Sequence, residues 1–246
     1  ALLGLGRWLE GKYRAYARVL YSGGFALSYF VTFAAHYIPQ ARIITSTPVA
    51  LVLLAVVVGV WALIAQMRRS RLMATLVTVL GHLTIALAIR ETGDIARYSV
   101  VGVLFLSVGS AFFLLRNRWY YVAVLGLAGS YLNHTFWLHT VQGGNTVTDF
   151  CITMSILAGY FLIFAMAELF APEDLRREKI PLWFRNAFVT INSACFFVLG
   201  WLVVANFEFS REHQDWFRLS YAVVLFGIAL AYLRIRNRDP LYNVYM

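Results

Sequence analysis

Long uncharged runs separated by short basic turns set the pattern of this chain. Thr47–Gln66, Leu72–Ile89, Tyr98–Leu115, Phe150–Ala167 and Ala187–Ala205 each approach or reach the ~20 residues that cross a hydrocarbon core. They are too long and too continuous for the ~10-residue alternating strands of a membrane β-barrel. The pattern predicts an all-α polytopic transmembrane bundle of about eight spans. These lie at Val19–Ile38, Pro48–Gln66, Leu72–Ile89, Tyr98–Leu115, Trp119–Leu138, Val147–Phe170, Phe184–Ala205 and Trp216–Arg234. Residues 1–18 read as the end of a preceding helix and a basic turn, and 19–235 as the eight spans. The remainder, 236–246, reads as a turn or the start of a further helix, so the whole is one transmembrane domain within a longer chain. The turns are too short to hold an extramembrane domain. Three of them, around "MRRSR", "RNR" and the terminal "RIRNR", join an inbound helix to an outbound apolar start, which fits duplicated helical hairpins as well as ordinary basic turns.

Polar positions inside the spans are also patterned. In "SGGFALSYFVTFAAH", Gly24, Ser28, Thr32 and His36 recur at every fourth position. Ala74, Thr78, His82 and Ala86 repeat the spacing, as do Gly126, Ser130 and His134. Residues four apart share a helix face, so each row is a narrow strip of small residues. Lipid gives no hydrophobic gain for helix contact, and close packing with interhelical hydrogen bonds takes its place. Gly24, Ser28, Thr32, Gly126 and Ser130 are therefore expected to form packing seams.

Composition agrees with a membrane chain, at 61% hydrophobic and 13% charged residues. The net charge of +9 is confined to turns and does not point to nucleic acid. Of the 21 Lys and Arg residues, about 16 collect on one side. The positive-inside rule makes that side cytoplasmic, with the turns holding Arg69, Asn117 and Arg177 inside and those holding Asn145 and Glu212 outside. Both visible ends are then cytoplasmic. Trp119, Tyr120, Tyr121 and Trp183 on the inner side, with Trp137, Trp201 and Trp216 on the outer, are placed for interfacial aromatic belts.

Candidate chemistry is sparse. His82, Asn133, His134, His139 and Asp149 give the outer half a polar lining, an expected pocket for a polar or amphipathic ligand. If His134 or His139 pairs with ionised Asp149, that site should respond near the pH where histidine titrates, about 6.5 before any shift. The competing expectation is that each histidine is one satisfied hydrogen-bonding group. His82 and His134 differ in depth by about six residues, or ~9 Å, which disfavours a shared haem. No Cys or carboxylate completes a zinc set, so no metal and no cofactor is expected. No span carries a charge at its centre. Glu168 comes closest, one turn from the inner end, where Arg185 on the next helix can pair with it. No catalytic motif is present, and the chain is expected not to be an enzyme.

Several stretches, "YRAYARVLYSGGFALSYFVTFAAHYIP", "MRRSRLMATLVTVLGHL", "RNRWYYVAVLGLAGSYLNHTFW" and "INSACFFVLGW", resemble a large bacterial family of predicted multi-pass membrane proteins, domain of unknown function 2339. Gly23, Gly24, Tyr29, Ala34 and Ala35 carry the first likeness, and Asn192, Phe196 and Phe197 the last. The third span departs from the family pattern, with His82 in "LGHLTIAL" and no proline. The resemblance implies longer relatives with more spans and a bacterial inner-membrane location, and it implies no reaction. The expectation is a non-catalytic component of a membrane or envelope complex, with lipids and other membrane subunits as partners. The alternative is a carrier or flippase-like binder of an amphipathic molecule through the outer pocket.

Overall fold

In a computed structural model, the described residues form eight α-helices. The structure describes residues 13–90, 94–141, 146–171, 181–207 and 214–235, together with Trp8, Gly11, Leu241 and Tyr245. Readings made above for residues 1–7, for 236–240 and for the loop positions Asn145, Arg177 and Glu212 lie outside the described residues. The helices are α1 (Arg14–Tyr37), α2 (Thr47–Arg68), α3 (Arg71–Ile89), α4 (Asp94–Asn117), α5 (Tyr120–Val141), α6 (Val147–Leu169), α7 (Leu182–Asn206) and α8 (Gln214–Ile235). Six are long and apolar enough to cross a membrane. The other two, α1 and α5, have 24 and 22 residues and so also exceed the ~30 Å of a hydrocarbon core.

The chain divides into two compact units, Ala1–Ser99 and Val100–Met246. In the first, α1 packs on α2 and α3, and α2 packs closely on α3. The turn between α2 and α3 is tight because Arg69 adopts a left-handed φ of 47°. Its amide and that of Ser70 reach back to Gln66 and Ala65. Arg118, after α4, takes the same conformation at φ 62°, so two of the three similar basic turns share a backbone device. Ser70 then caps α3, accepting from the Met73 amide.

The row that ends in His36 does not lie at the centre of its packed face. Tyr21, Phe25 and Tyr29 are buried, Phe25 completely, whereas Gly24, Ser28 and Thr32 are only partly covered. The aromatic row thus forms the contact, with Phe25 against Trp61 of α2 at a centroid distance of 5.3 Å. Ser28 works at the margin, accepting from the Trp61 indole at 3.1 Å and donating to the Phe25 carbonyl. Thr32 donates to Ser28 O, a bond within its own helix. His36 closes the helix end, its Nδ1 lying 2.8 Å from the Ile44 carbonyl. It is a satisfied hydrogen-bonding group.

The row on α5 does mark a close crossing. A Cβ on Gly126 would collide with the side chain of Ser110 on α4, and Ser130 is fully buried. Its hydroxyl lies 2.7 Å from that of Ser107 on α4. In the second unit α6 packs most extensively on α7, and α5 touches both. Helix α8 leans on α7, where Phe217 fills the space beside Gly200 and stacks with Phe197. Three of the expected belt aromatics face inward instead: Trp119, Tyr120 and Trp137 are buried. A belt residue and a buried hydrogen-bond donor look alike in sequence, because both are aromatic rings with a polar tip near a span end.

Candidate functional site

The residues expected to form the outer pocket fall on three helices. His82 lies on α3 in the first unit, buried; Asn133, His134 and His139 lie on α5 and Asp149 on α6, in the second. His139 is exposed, and Asn133 donates to the Gly129 carbonyl of its own helix at 2.9 Å. Asp149 is not the partner of His134. Its carboxylate accepts from the Thr146 hydroxyl at 2.5 Å, while its amide donates back to that oxygen at 3.1 Å. This is a reciprocal N-terminal cap, in which a carboxylate also suits the positive end of the helix. The spelling "TVTD" ahead of an apolar run announces such a cap, and it is the signal that accounts for Asp149. His134 makes no hydrogen bond among the described residues and packs edge-on against Tyr160. The pH response expected from a His134–Asp149 pair therefore loses its basis.

What the second unit does assemble is a ladder of polar rungs along α5. The first ties three helix ends together. Arg185, in the first turn of α7, places Nε at 2.7 Å and a second nitrogen at 2.6 Å from one oxygen of Glu168. Tyr120, at the start of α5, donates to the other oxygen. All three side chains are buried, Glu168 fully. Glu168 sits at the negative end of α6 and Arg185 at the positive end of α7, so neither charge is favoured by its own helix. Each is stabilised by the other, in surroundings where an unpaired charge is very costly. The rings of Phe184 and Phe188 close over Tyr120 at 5.5 and 5.3 Å. The Glu168–Arg185 pairing follows the sequence expectation; the contribution of Tyr120 does not, since that residue looked interfacial.

The second rung lies eleven residues farther along α5, or ~16 Å of helix rise. Tyr131 donates to Asn192 of α7, with Oδ1 at 2.8 Å and O at 2.9 Å, and the Asn192 amide donates to the Phe161 carbonyl of α6 at 3.1 Å. A third rung joins the Trp137 indole to Thr153 of α6 at 3.0 Å, and Thr153 donates on to the Asp149 carbonyl at 2.7 Å. Each rung crosses a helix interface, so the polar groups act as fasteners between spans. Asn192, Phe196 and Phe197, singled out by sequence, thereby acquire distinct roles. Asn192 holds α5 and α6 to α7, while the two rings receive Phe217 and Tyr221 of α8.

Beside this ladder α5 and α7 part to leave a groove of about 640 Å³. Its walls are apolar, from Val124, Leu127 and Leu132 on α5 to Phe188, Ile191 and Val198 on α7, and Tyr131 also lines it. It differs in chemistry and residues from the polar outer pocket expected from sequence, and none of the five candidate pocket residues lines it.

The family model described as "Predicted membrane protein (DUF2339)" matches residues 1–245. No curated protein and no solved structure gives a match.

Proposed function

The chain belongs to the DUF2339 family of predicted membrane proteins, and on that premise we propose that it is a non-catalytic structural component of a bacterial inner-membrane or envelope assembly. The observation that carries this reading is the ladder on α5. A permeation path needs polar groups that exchange partners as a substrate moves. Here Tyr120, Tyr131 and Trp137 spend their donors on neighbouring helices, which favours a fixed bundle. The outward faces supply the surfaces for assembly. Only 28% of the apolar window of α2 and 11% of that of α8 is buried. Leu219, Val223, Phe226 and Leu230 leave an apolar stripe along α8.

The carrier reading has one observation in its favour, the apolar groove between α5 and α7, which has the size of a small-molecule site. Extraction of the chain into native lipid particles, without detergent, separates the two. The scaffold reading expects a defined complex holding a second membrane polypeptide in fixed stoichiometry. A lone chain that accelerates the flip of a labelled lipid in reconstituted vesicles would overturn it.

The same proposal places the basic turns, including those at Arg69 and Asn117, in the cytoplasm. Single cysteines introduced at 69 and 148 test this, in a background with both native cysteines replaced. An impermeant thiol reagent on intact cells should label position 148 and spare position 69. The reverse result would invert the topology.

A further inference from the structure

One rung of the ladder is left without partners. His134 lies on α5 three residues past Tyr131 and three before Trp137, both of which are bonded to neighbouring helices. Its side chain is fully buried, yet among the described residues neither Nδ1 nor Nε2 meets a donor or an acceptor. Tyr160 of α6 is equally buried and its hydroxyl equally unmet. The two rings meet edge to face with centroids 5.6 Å apart, and Tyr160 packs in the same manner on Tyr131 at 5.2 Å. A neutral imidazole brings one N–H donor and one lone-pair acceptor, and a phenol brings both functions on a single oxygen. Two donors and two kinds of acceptor are thus gathered in the interior of a membrane bundle, where lipid offers nothing to bond them.

The polar groups of the neighbouring rungs are already committed. The Tyr131 hydroxyl donates to Asn192, and the Asn192 amide donates to Phe161 O. Trp137 is bonded to Thr153, whose hydroxyl donates to Asp149 O. Ser130 donates to Gly126 O and lies against Ser107. A molecule that both donates and accepts, and is small enough to enter a packed seam, meets this demand.

We infer that His134 and Tyr160 form a binding site for one internal water molecule, held by hydrogen bonds to the imidazole and the phenol. Buried waters occupy such positions, bridging otherwise unmet polar groups and making about three hydrogen bonds each. The site goes beyond the structural role proposed above and does not depend on it. A bound water completes the ladder, giving α5 and α6 a fastener between the Tyr131 and Trp137 rungs.

A double-mutant cycle on the full chain in lipid particles tests the site. If water bridges the two side chains, His134→Leu and Tyr160→Phe each lower the melting temperature, because each strands the other polar group. The double variant then melts no lower than the worse single variant. Shifts that simply add, or single variants that both melt higher, overturn the proposal, since removing an isolated buried polar group relieves its burial cost. A second measurement decides the matter if a variant fails to fold. In wild-type protein carrying ¹⁵N-histidine, solid-state NMR transfer from water should reach the His134 ring, whose signal is assigned by its loss in His134→Gln. No transfer to that ring overturns the site.

Discussion

Glu168→Ala and Arg185→Ala are each expected to destabilise the second unit severely. Removing either partner leaves the other charge buried and uncompensated, a loss of ~3–5 kcal/mol. Glu168 is fully buried, takes two nitrogens of Arg185 and accepts from Tyr120, so no solvent is at hand to relieve the orphan. At about 2–4 °C per kcal/mol for a chain of this size, the melting temperature should fall by roughly 6–20 °C. Taking all three polar groups away together, as Tyr120→Phe with Glu168→Met and Arg185→Leu, should recover most of the loss. Well-packed apolar replacements for a buried ion pair are often neutral or stabilising. Thermal melting in lipid particles makes the comparison. A triple variant as unstable as Glu168→Ala would show that the network contributes more than mutual neutralisation. Unchanged melting in both single variants would show that the pair is not formed in the membrane.

Phe25→Ala should produce the largest loss in the first unit. The ring is fully buried and lies against Trp61, with Tyr29 at its edge. In water such a truncation costs ~3–5 kcal/mol, part of it transfer and part the cavity left behind. Lipid is itself apolar, so the transfer part falls away while the cavity part remains, and the expected loss is ~2–3 kcal/mol. Phe30→Ala supplies the control, because Phe30 is 55% exposed on the same helix. Equal melting of the two variants would mean that the packed face of α1 has been misassigned. The outcome also bears on the small-residue row beside it, where Ser28 anchors the Trp61 indole from the margin of the contact.

Element boundaries were legible because they depend on a property of single segments. A run of apolar residues with a basic turn at one end has few other stable states in a bilayer, where every backbone polar group must be bonded within its own helix. The eight expected spans accordingly match eight helices among the described residues, with ends differing by at most five residues. The Glu168–Arg185 pair was legible for a related reason: each charge sits within about a turn of its span's end, and the two ends are joined by one loop. Asp149 was misread because its local partner, Thr146, was passed over in favour of a distant histidine.

Which face of a helix is packed could not be read in the same way. On α1 two stripes run side by side, one small and hydroxylated, the other aromatic, and both have helical spacing. Lipid and protein interior are equally apolar, so hydrophobicity does not say which stripe turns inward. Only the tertiary structure, through the fit of Phe25 to Trp61, decided for the aromatic one. The same holds for α5, where Tyr120, Tyr131, His134 and Trp137 differ little as residues in a row. Two carry neutral rungs, one completes an ion network and one is left to bind something else, according to what α6 and α7 present at each depth. By itself the sequence determined the length and ends of the described helices, because those follow from each segment's transfer between water and lipid. The partners of the buried polar groups belong to the tertiary structure, because hydrogen-bond geometry depends on where neighbouring helices cross.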